Sequence, residues 1–256
     1  MEGTCAEPVD PLAARGFEAA EAYERARPSY APAAVERLVS ELGLDRGSRV
    51  LDLGAGTGRL AALLAPRVGA LVAVEPSEPM RRVLARELPG VEVHDGTAER
   101  LPPADGSLDT VVVAEAFHWF DARAALAEIA RVVRPGGGLA LLWNVSVRAD
   151  PPNPDELVAL LAGLRRTAVP DRRRYESGAW REAFADDGGF GPLASAEFEH
   201  AHRLDADGLV DLVASFSYVA VLPDGERREI LRRVAELAPP AAVQTLRTDL
   251  HWTRRR

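Results

Sequence analysis

The sequence predicts an α/β protein built on an open, doubly wound and mostly parallel sheet, on three observations. Short apolar runs alternate with helical patterns over short connections, the signature of βαβ units. The run Leu108 to Ala114 is almost wholly apolar, as a parallel strand covered on both faces must be. A glycine-rich turn, Gly54 to Gly58, joins the first such run to the helix after it.

Phe17 to Tyr30 reads as a helix halted by Pro28, whose ring cannot continue it. Pro32 to Leu42 carries Val35, Leu38, Val39 and Leu42 at helical spacing, with Gly43 closing it. Arg49 to Leu53 is a first strand and Leu60 to Leu64 its helix. Leu71 to Val74 is a second strand, ending at Glu75; Glu78 to Leu88 alternates charged and apolar residues as a surface helix does. Val91 to His94 is a third strand and Leu108 to Ala114 a fourth. Ala122 to Val133 is a helix, stopped by Pro135 and the Gly136 to Gly138 turn, before a fifth strand at Leu139 to Trp143. Then the pattern changes. Ala149 to Pro154 reads as a linker, Asp155 to Leu164 as a helix with Asp155 near its N-terminus, and Leu193 to His202 as a strand. Asp205 to Phe216 and Asp224 to Leu237 read as helices, and Thr245 to Thr253 as a last strand. The expected division is N-terminal helices over 1–45, the sheet core over 46–148, and the rest of the sheet with a helical cap over 149–256.

Composition removes whole chemistries. All 31 basic residues are arginine. Without lysine there is no Schiff-base nucleophile, no P-loop phosphate grip and no kinase strand lysine. A lone cysteine, Cys5, forms no internal disulfide, CxxC pair or cysteine-cluster zinc site. His200 and His202 share one face of a strand but bring no third ligand, so no metal is expected. The net charge of −8 speaks against nucleic acid as partner. Met1 to Asp10 lacks the apolar region of a secretory signal, and no apolar stretch approaches the ~20 residues of a membrane span. A cytoplasmic protein, monomeric or homodimeric, is expected.

The segment Val50 to Leu60 (VLDLGAGTGRL) carries the function. Glycines at 54, 56 and 58 let backbone approach a ligand closely, and Glu75 ends the next strand about 20 residues on, where a carboxylate grips ribose hydroxyls. The spacing is GxGxG rather than the GxGxxG of nicotinamide binders, and Asp52 puts a carboxylate at the strand's end. From Val50 to Trp143 the chain resembles the class I S-adenosylmethionine-dependent methyltransferases. Asp52 to Gly58 (DLGAGTG) is similar to their first motif and Val74 to Met80 (VEPSEPM) to their acidic second-strand segment. Gly96 to Pro102 (GTAERLP) is similar to the adenine loop, Ser107 to Val111 (SLDTV) to the fourth-strand start, and Arg131 to Gly138 (RVVRPGGG) to the turn before strand five. The flanks Tyr23 to Tyr30 (YERARPSY), Ala116 to Asp121 (AFHWFD) and Arg247 to Trp252 (RTDLHW) resemble the trans-aconitate-methyltransferase-like branch.

That resemblance implies a Rossmann-like seven-stranded sheet with an antiparallel last strand, S-adenosylmethionine as cofactor and a small-molecule acceptor. It implies backbone contacts from Gly54, Ala55 and Gly56 to the methionine part, with Asp52 near its ammonium. Glu75 would accept both ribose hydroxyls. Pro76 and Met80 would pack on the adenine, and Thr97, Ala98 and Glu99 would hold its edge, Thr97 standing where the family usually has an aspartate. Ala114 and Glu115 would line the methionine side, and Tyr23 and Arg27 would close over the carboxylate. On the acceptor side stand His118, Trp119, Trp143 and Tyr218. His118 has two readings: a base that deprotonates a hydroxyl, or a residue that only hydrogen-bonds while Trp119 packs. Arg172 to Arg174 reads as a solvated face or as a grip on an anionic acceptor. Two other functions stay open: a non-catalytic S-adenosylmethionine-binding protein and a nicotinamide-dependent oxidoreductase.

Overall fold

The computed structural model describes residues 20–168, 175–185 and 189–256. Phe17 to Ala19, Cys5 and Arg172 to Arg174 lie outside the described residues. The sheet has seven strands: β1 (Arg49–Leu53), β2 (Ala70–Val74), β3 (Glu92–His94), β4 (Leu108–Ala114), β5 (Val133–Asp150), β6 (Ala194–Asp205) and β7 (Ala241–Arg254), in the order β3-β2-β1-β4-β5-β7-β6. The first five run parallel, and β7 lies antiparallel between β5 and β6. The predicted doubly wound sheet with one antiparallel last strand is the fold.

Alternation along the strands builds two core layers, because successive side chains point to opposite faces. Leu51, Leu53, Val111, Val113, Leu139, Leu141 and Trp143 share one cluster; Val50, Val112, Ala140 and Leu142 share the other. The second layer is covered by α2 (Pro32–Leu42) and α3 (Arg59–Leu64), through Val35, Leu38, Leu60 and Leu64. The first is covered by α5 (Ala122–Val132), whose cap Asp121 accepts from the Arg123 and Ala124 amides at 3.1 and 3.2 Å. Two 3₁₀ segments, Tyr175–Ser177 and Ala179–Phe184, add Trp180 to that layer. Between β2 and β3, α4 (Glu78–Glu87) buries Met80, Val83 and Leu84.

The elements α1 (Ala20–Ala26), α6 (Asp155–Ala168), α7 (Ala206–Ala214), α8 (Ser217–Ala220) and α9 (Asp224–Leu237) form the helical cap. Ala26, Leu157, Leu209, Leu212, Val213, Val219 and Val234 make a small core of its own. Asp205, expected inside a helix, instead caps α7 by accepting from Gly208 N at 2.7 Å. The fifth strand starts earlier than expected and runs through Gly136 to Gly138 rather than turning there. A Cβ on Gly138 would stand 2.7 Å from Leu42 Cδ2, so bare backbone is what lets the strand pass. Beyond Trp143 it continues to Asp150 as a long ladder with β7, so the expected linker begins only at Pro151.

Candidate functional site

Strand order reverses between β1 and β4, and in such sheets ligands bind beyond the carboxyl ends of the strands at that switch point. Asp52, next to last in β1, is 1% exposed there; the Ala61 backbone N–H favours its charged form, yet neither carboxylate oxygen makes a hydrogen bond of full geometry. Burial pushes its pKa up to about 7. A buried carboxylate without such a bond is costly, and the group that relieves it is a cation or donor.

The glycines divide by role. Gly54, Gly56 and Gly58 all have positive φ (69, 57 and 90°). A Cβ on Gly54 would lie 2.7 Å from Ala116 Cβ and one on Gly58 2.9 Å from Leu84 Cγ, so those two serve packing. A Cβ on Gly56 would meet nothing within 4 Å. Its bare backbone faces open space. Glu75, 2% exposed, holds this loop: its carboxylate accepts from Gly56 N at 2.9 Å and Ser77 N at 2.8 Å. Burial raises its pKa to about 6 against those bonds. Each oxygen keeps a second lone pair for a ligand hydroxyl.

Past β4, Glu115 takes a left-handed backbone (φ 56°) that a side-chain residue holds only under constraint. The constraint comes from β5: Glu115 N donates to Leu142 O at 2.9 Å, and Asn144 N donates to Glu115 Oε1 at 2.6 Å. Burial lifts this carboxyl to about 7, with Arg27 pulling it down. Arg27 stacks between Tyr23 (5.1 Å) and Phe216 (5.0 Å). It donates through Nε to Ser215 Oγ at 2.9 Å and through Nη2 to Ser215 O at 3.2 Å. Arg27 thus ties α1 to the end of α7 and to Phe216 within the cap. Tyr30 is buried beside Glu115, Tyr23 and Asp52, and burial raises its hydroxyl pKa well above 10.

A model of the methyltransferase domain family matches residues 51–141. An uncharacterized methyltransferase of Mycobacterium tuberculosis is 39% identical over 220 residues, covering 84% of this chain and 82% of that protein. The chain belongs to the class I S-adenosylmethionine-dependent methyltransferases. An uncharacterized methyltransferase-like protein of Schizosaccharomyces pombe is 34% identical over 217 residues, with 84% and 82% covered. Among solved structures, one from Anaeromyxobacter dehalogenans described as a type II methyltransferase aligns with a TM-score of 0.62 at 26% identity, covering 90% of this chain and 97% of that one.

In this methyltransferase the residues expected on the adenine side are spread along the ends of β2 and β3. Arg81 donates to the carbonyls of Glu75 and Pro76 at 2.8 and 2.7 Å and pairs with Asp95 at 2.9 Å. Thr97 bridges to Arg100, Ala98 sinks its side chain into the core, and Glu99 accepts from Asp121 N at 3.0 Å, tying that loop to α5. Met80 is fully buried against Ala20 and Val83. Tyr218, expected on the acceptor side, stacks on Phe216 at 5.3 Å, and its pKa rises to about 12 from burial. Trp143, also expected on that side, is 2% exposed and packed against Tyr175 and Trp180, and its indole N–H donates to His118 Nδ1 at 3.1 Å. His200 Nε2 lies 3.3 Å from Asn144 Oδ1, and His202 Nε2 donates to Ala26 O at 3.1 Å. Among the described residues no helix is long and apolar enough to cross a membrane.

The residues not expected at the site are Tyr30, Arg81, Asn144 and Ser215. Tyr30 already stood in the N-terminal flank that resembled the family. Ser215 carried no local signal, because it matters only through Arg27, 188 positions away.

Proposed function

We propose that this methyltransferase binds S-adenosylmethionine in the β1–β4 crevice and methylates a small molecule through a carboxylate, hydroxyl or carbon. The observation that carries the reading is Gly56, whose missing Cβ faces open space in the loop that follows the buried Asp52, a carboxylate without a hydrogen bond of full geometry. The backbone of Gly54, Ala55 and Gly56 would hold the methionine part, Asp52 its ammonium and Glu75 the ribose. Pro76, Met80, Thr97, Ala98 and Glu99 form the adenine side, Ala114 and Glu115 the methionine side. Tyr23 and Arg27 cover the carboxylate end. When bound, the cofactor supplies a methyl group on a sulfonium, already activated for in-line displacement. The chain's own work is then to exclude water and to align the acceptor under the cap, beside His118, Trp119 and Tyr218. The flanks Tyr23 to Tyr30, Ala116 to Asp121 and Arg247 to Trp252 are what supports placement in the trans-aconitate-methyltransferase-like branch. Isothermal titration tests the reading: S-adenosylmethionine and S-adenosylhomocysteine bind and NAD does not. Binding of NAD instead would overturn it.

A pH dependence follows. Asp52 is raised from its ordinary 3.8 to about 7 in the free protein, so its contribution to stability is full below pH 3.8 and lost as pH rises through about 7. A cationic ammonium favours the carboxylate, so binding releases a proton, and affinity climbs with pH up to about 7 before levelling. Glu115 and Glu75, raised to about 7 and 6, act in the same direction. Titration of S-adenosylmethionine between pH 5.5 and 8 in buffers of different ionisation enthalpy checks this. Asp52→Asn should weaken binding, flatten the profile and raise the apo Tm at pH 8 more than at pH 5.

A further inference from the structure

His118 stands on the 3₁₀ turn Phe117–Trp119, just past Glu115 and the end of β4. Its surroundings set the tautomer. Trp143 donates its indole N–H to His118 Nδ1 at 3.1 Å. An indole nitrogen has no acceptor capacity, so the contact exists only while Nδ1 carries a lone pair. Trp143 cannot turn away. It is 2% exposed, stacked on Tyr175 at 4.6 Å and packed on Trp180 at 4.8 Å. Behind it Tyr175 is fixed in turn: its hydroxyl donates to Asp249 Oδ2 at 2.7 Å and meets His251 Nε2 at 3.0 Å. Arg247 anchors Asp249 through Nε at 2.5 Å and Nη2 at 2.9 Å. A rigid aromatic and ionic block on β5 and β7 therefore aims one N–H at one ring nitrogen.

We propose that Trp143 is a positioning residue that holds His118 neutral with its proton on Nε2, so that His118 serves the acceptor as a hydrogen-bond donor and not as a general base. A base acting through Nε2 needs the proton on Nδ1, which would set that N–H against the Trp143 N–H and leave a buried indole donor without an acceptor. The doubly protonated ring meets the same obstacle. Two carboxylates among the described residues are already engaged by other groups. Glu176, on the 3₁₀ turn Tyr175–Ser177, feels His118 electrostatically, but both its oxygens accept from Nη2 of Arg165 on α6, at 2.7 Å each. Glu115 receives the Asn144 amide. With His118 as donor no base is supplied there, so the step fits an acceptor that already carries an unprotonated lone pair, a carboxylate rather than a hydroxyl or a carbon, and no proton has to leave it. The bond to the methyl carbon forms as the carbon–sulfur bond breaks, its electron pair stays on sulfur, and no proton passes to the imidazole. The role at the acceptor rests on the methyl-transfer reading; the tautomer does not.

Long-range ¹H–¹⁵N NMR of the imidazoles, on the full chain with S-adenosylhomocysteine and with His118 assigned by its absence in His118→Gln, reads the tautomer without turnover. The wild type should show protonated Nε2 and bare Nδ1 throughout pH 6–8, and Trp143→Phe, which keeps the ring and removes the N–H, should admit the other tautomer. A wild-type ring protonated on Nδ1, or one whose state Trp143→Phe leaves unchanged, overturns the assignment. In methyl transfer, His118→Gln keeps a donor but no base. Its KM should rise about tenfold with kcat held within about tenfold. A fall in kcat of about 10²–10⁴ with loss of an acid limb in the pH profile marks a base and overturns the donor role even if the tautomer stands.

Discussion

Gly56→Val is expected to abolish S-adenosylmethionine binding while leaving the chain folded. Of the three loop glycines it alone would project a Cβ into open space, where the other two would strike Ala116 and Leu84. Open space in the loop that follows a buried carboxylate without a hydrogen bond of full geometry is where the ligand's backbone contacts belong, so the valine methyls occupy that volume instead. Affinity should fall by at least about 100-fold, about 2.8 kcal/mol. Valine at φ 57° is strained by about 1–3 kcal/mol. For a chain of this size each kcal/mol is about 2–4 °C of Tm, so melting should remain cooperative and only several degrees lower. Gly56→Ala should fall between. A valine variant that binds like wild type would mean the ligand does not approach this backbone.

Glu75→Ala should damage both binding and stability, more than a lost ligand contact alone predicts. Two ribose hydrogen bonds to a carboxylate account for about 1–3 kcal/mol of affinity. The same carboxylate also satisfies the Gly56 and Ser77 amides. Its removal leaves two backbone donors unpaired, at about 1–3 kcal/mol each where they are shut from water. Titration calorimetry and thermal melting separate the two roles. If Tm drops while affinity holds, Glu75 is a staple for the glycine loop and not the ribose ligand. Glu75→Gln, retaining one acceptor oxygen, should lie between wild type and alanine in both measurements.

How much of this was legible in the sequence depends on whether a feature is local. The run VVVA of β4, the alternation in α4 and the glycine turn each express their structure within one element, and all three stand where the sequence put them. Asp52, Gly56 and Glu75 could be singled out because they stand at or just past strand ends, where this fold type presents its ligand groups. Long-range pairings left no local trace. The extensions of β5 and β7 beyond the sheet core exist because each supplies the other's hydrogen bonds, and neither half shows that alone. The 3₁₀ turns around Tyr175 and Trp180 have no period to detect. Trp143 was read as an acceptor residue from its place at a strand end; what buries it is a pair of aromatic rings more than thirty positions further along the chain. Arg27 was legible as a residue, and its clamp to Ser215 was not.

The central claim is catalytic methyl transfer to a small molecule, and one assay meets it head on. The protein is incubated with methyl-labelled S-adenosylmethionine and a small-molecule extract, with Gly56→Val as the blank, and label is followed into low-mass and macromolecular fractions. The account predicts label in a low-mass product, S-adenosylhomocysteine in equal amount, and neither with the variant. Saturable cofactor binding with no label transferred to any fraction would contradict it.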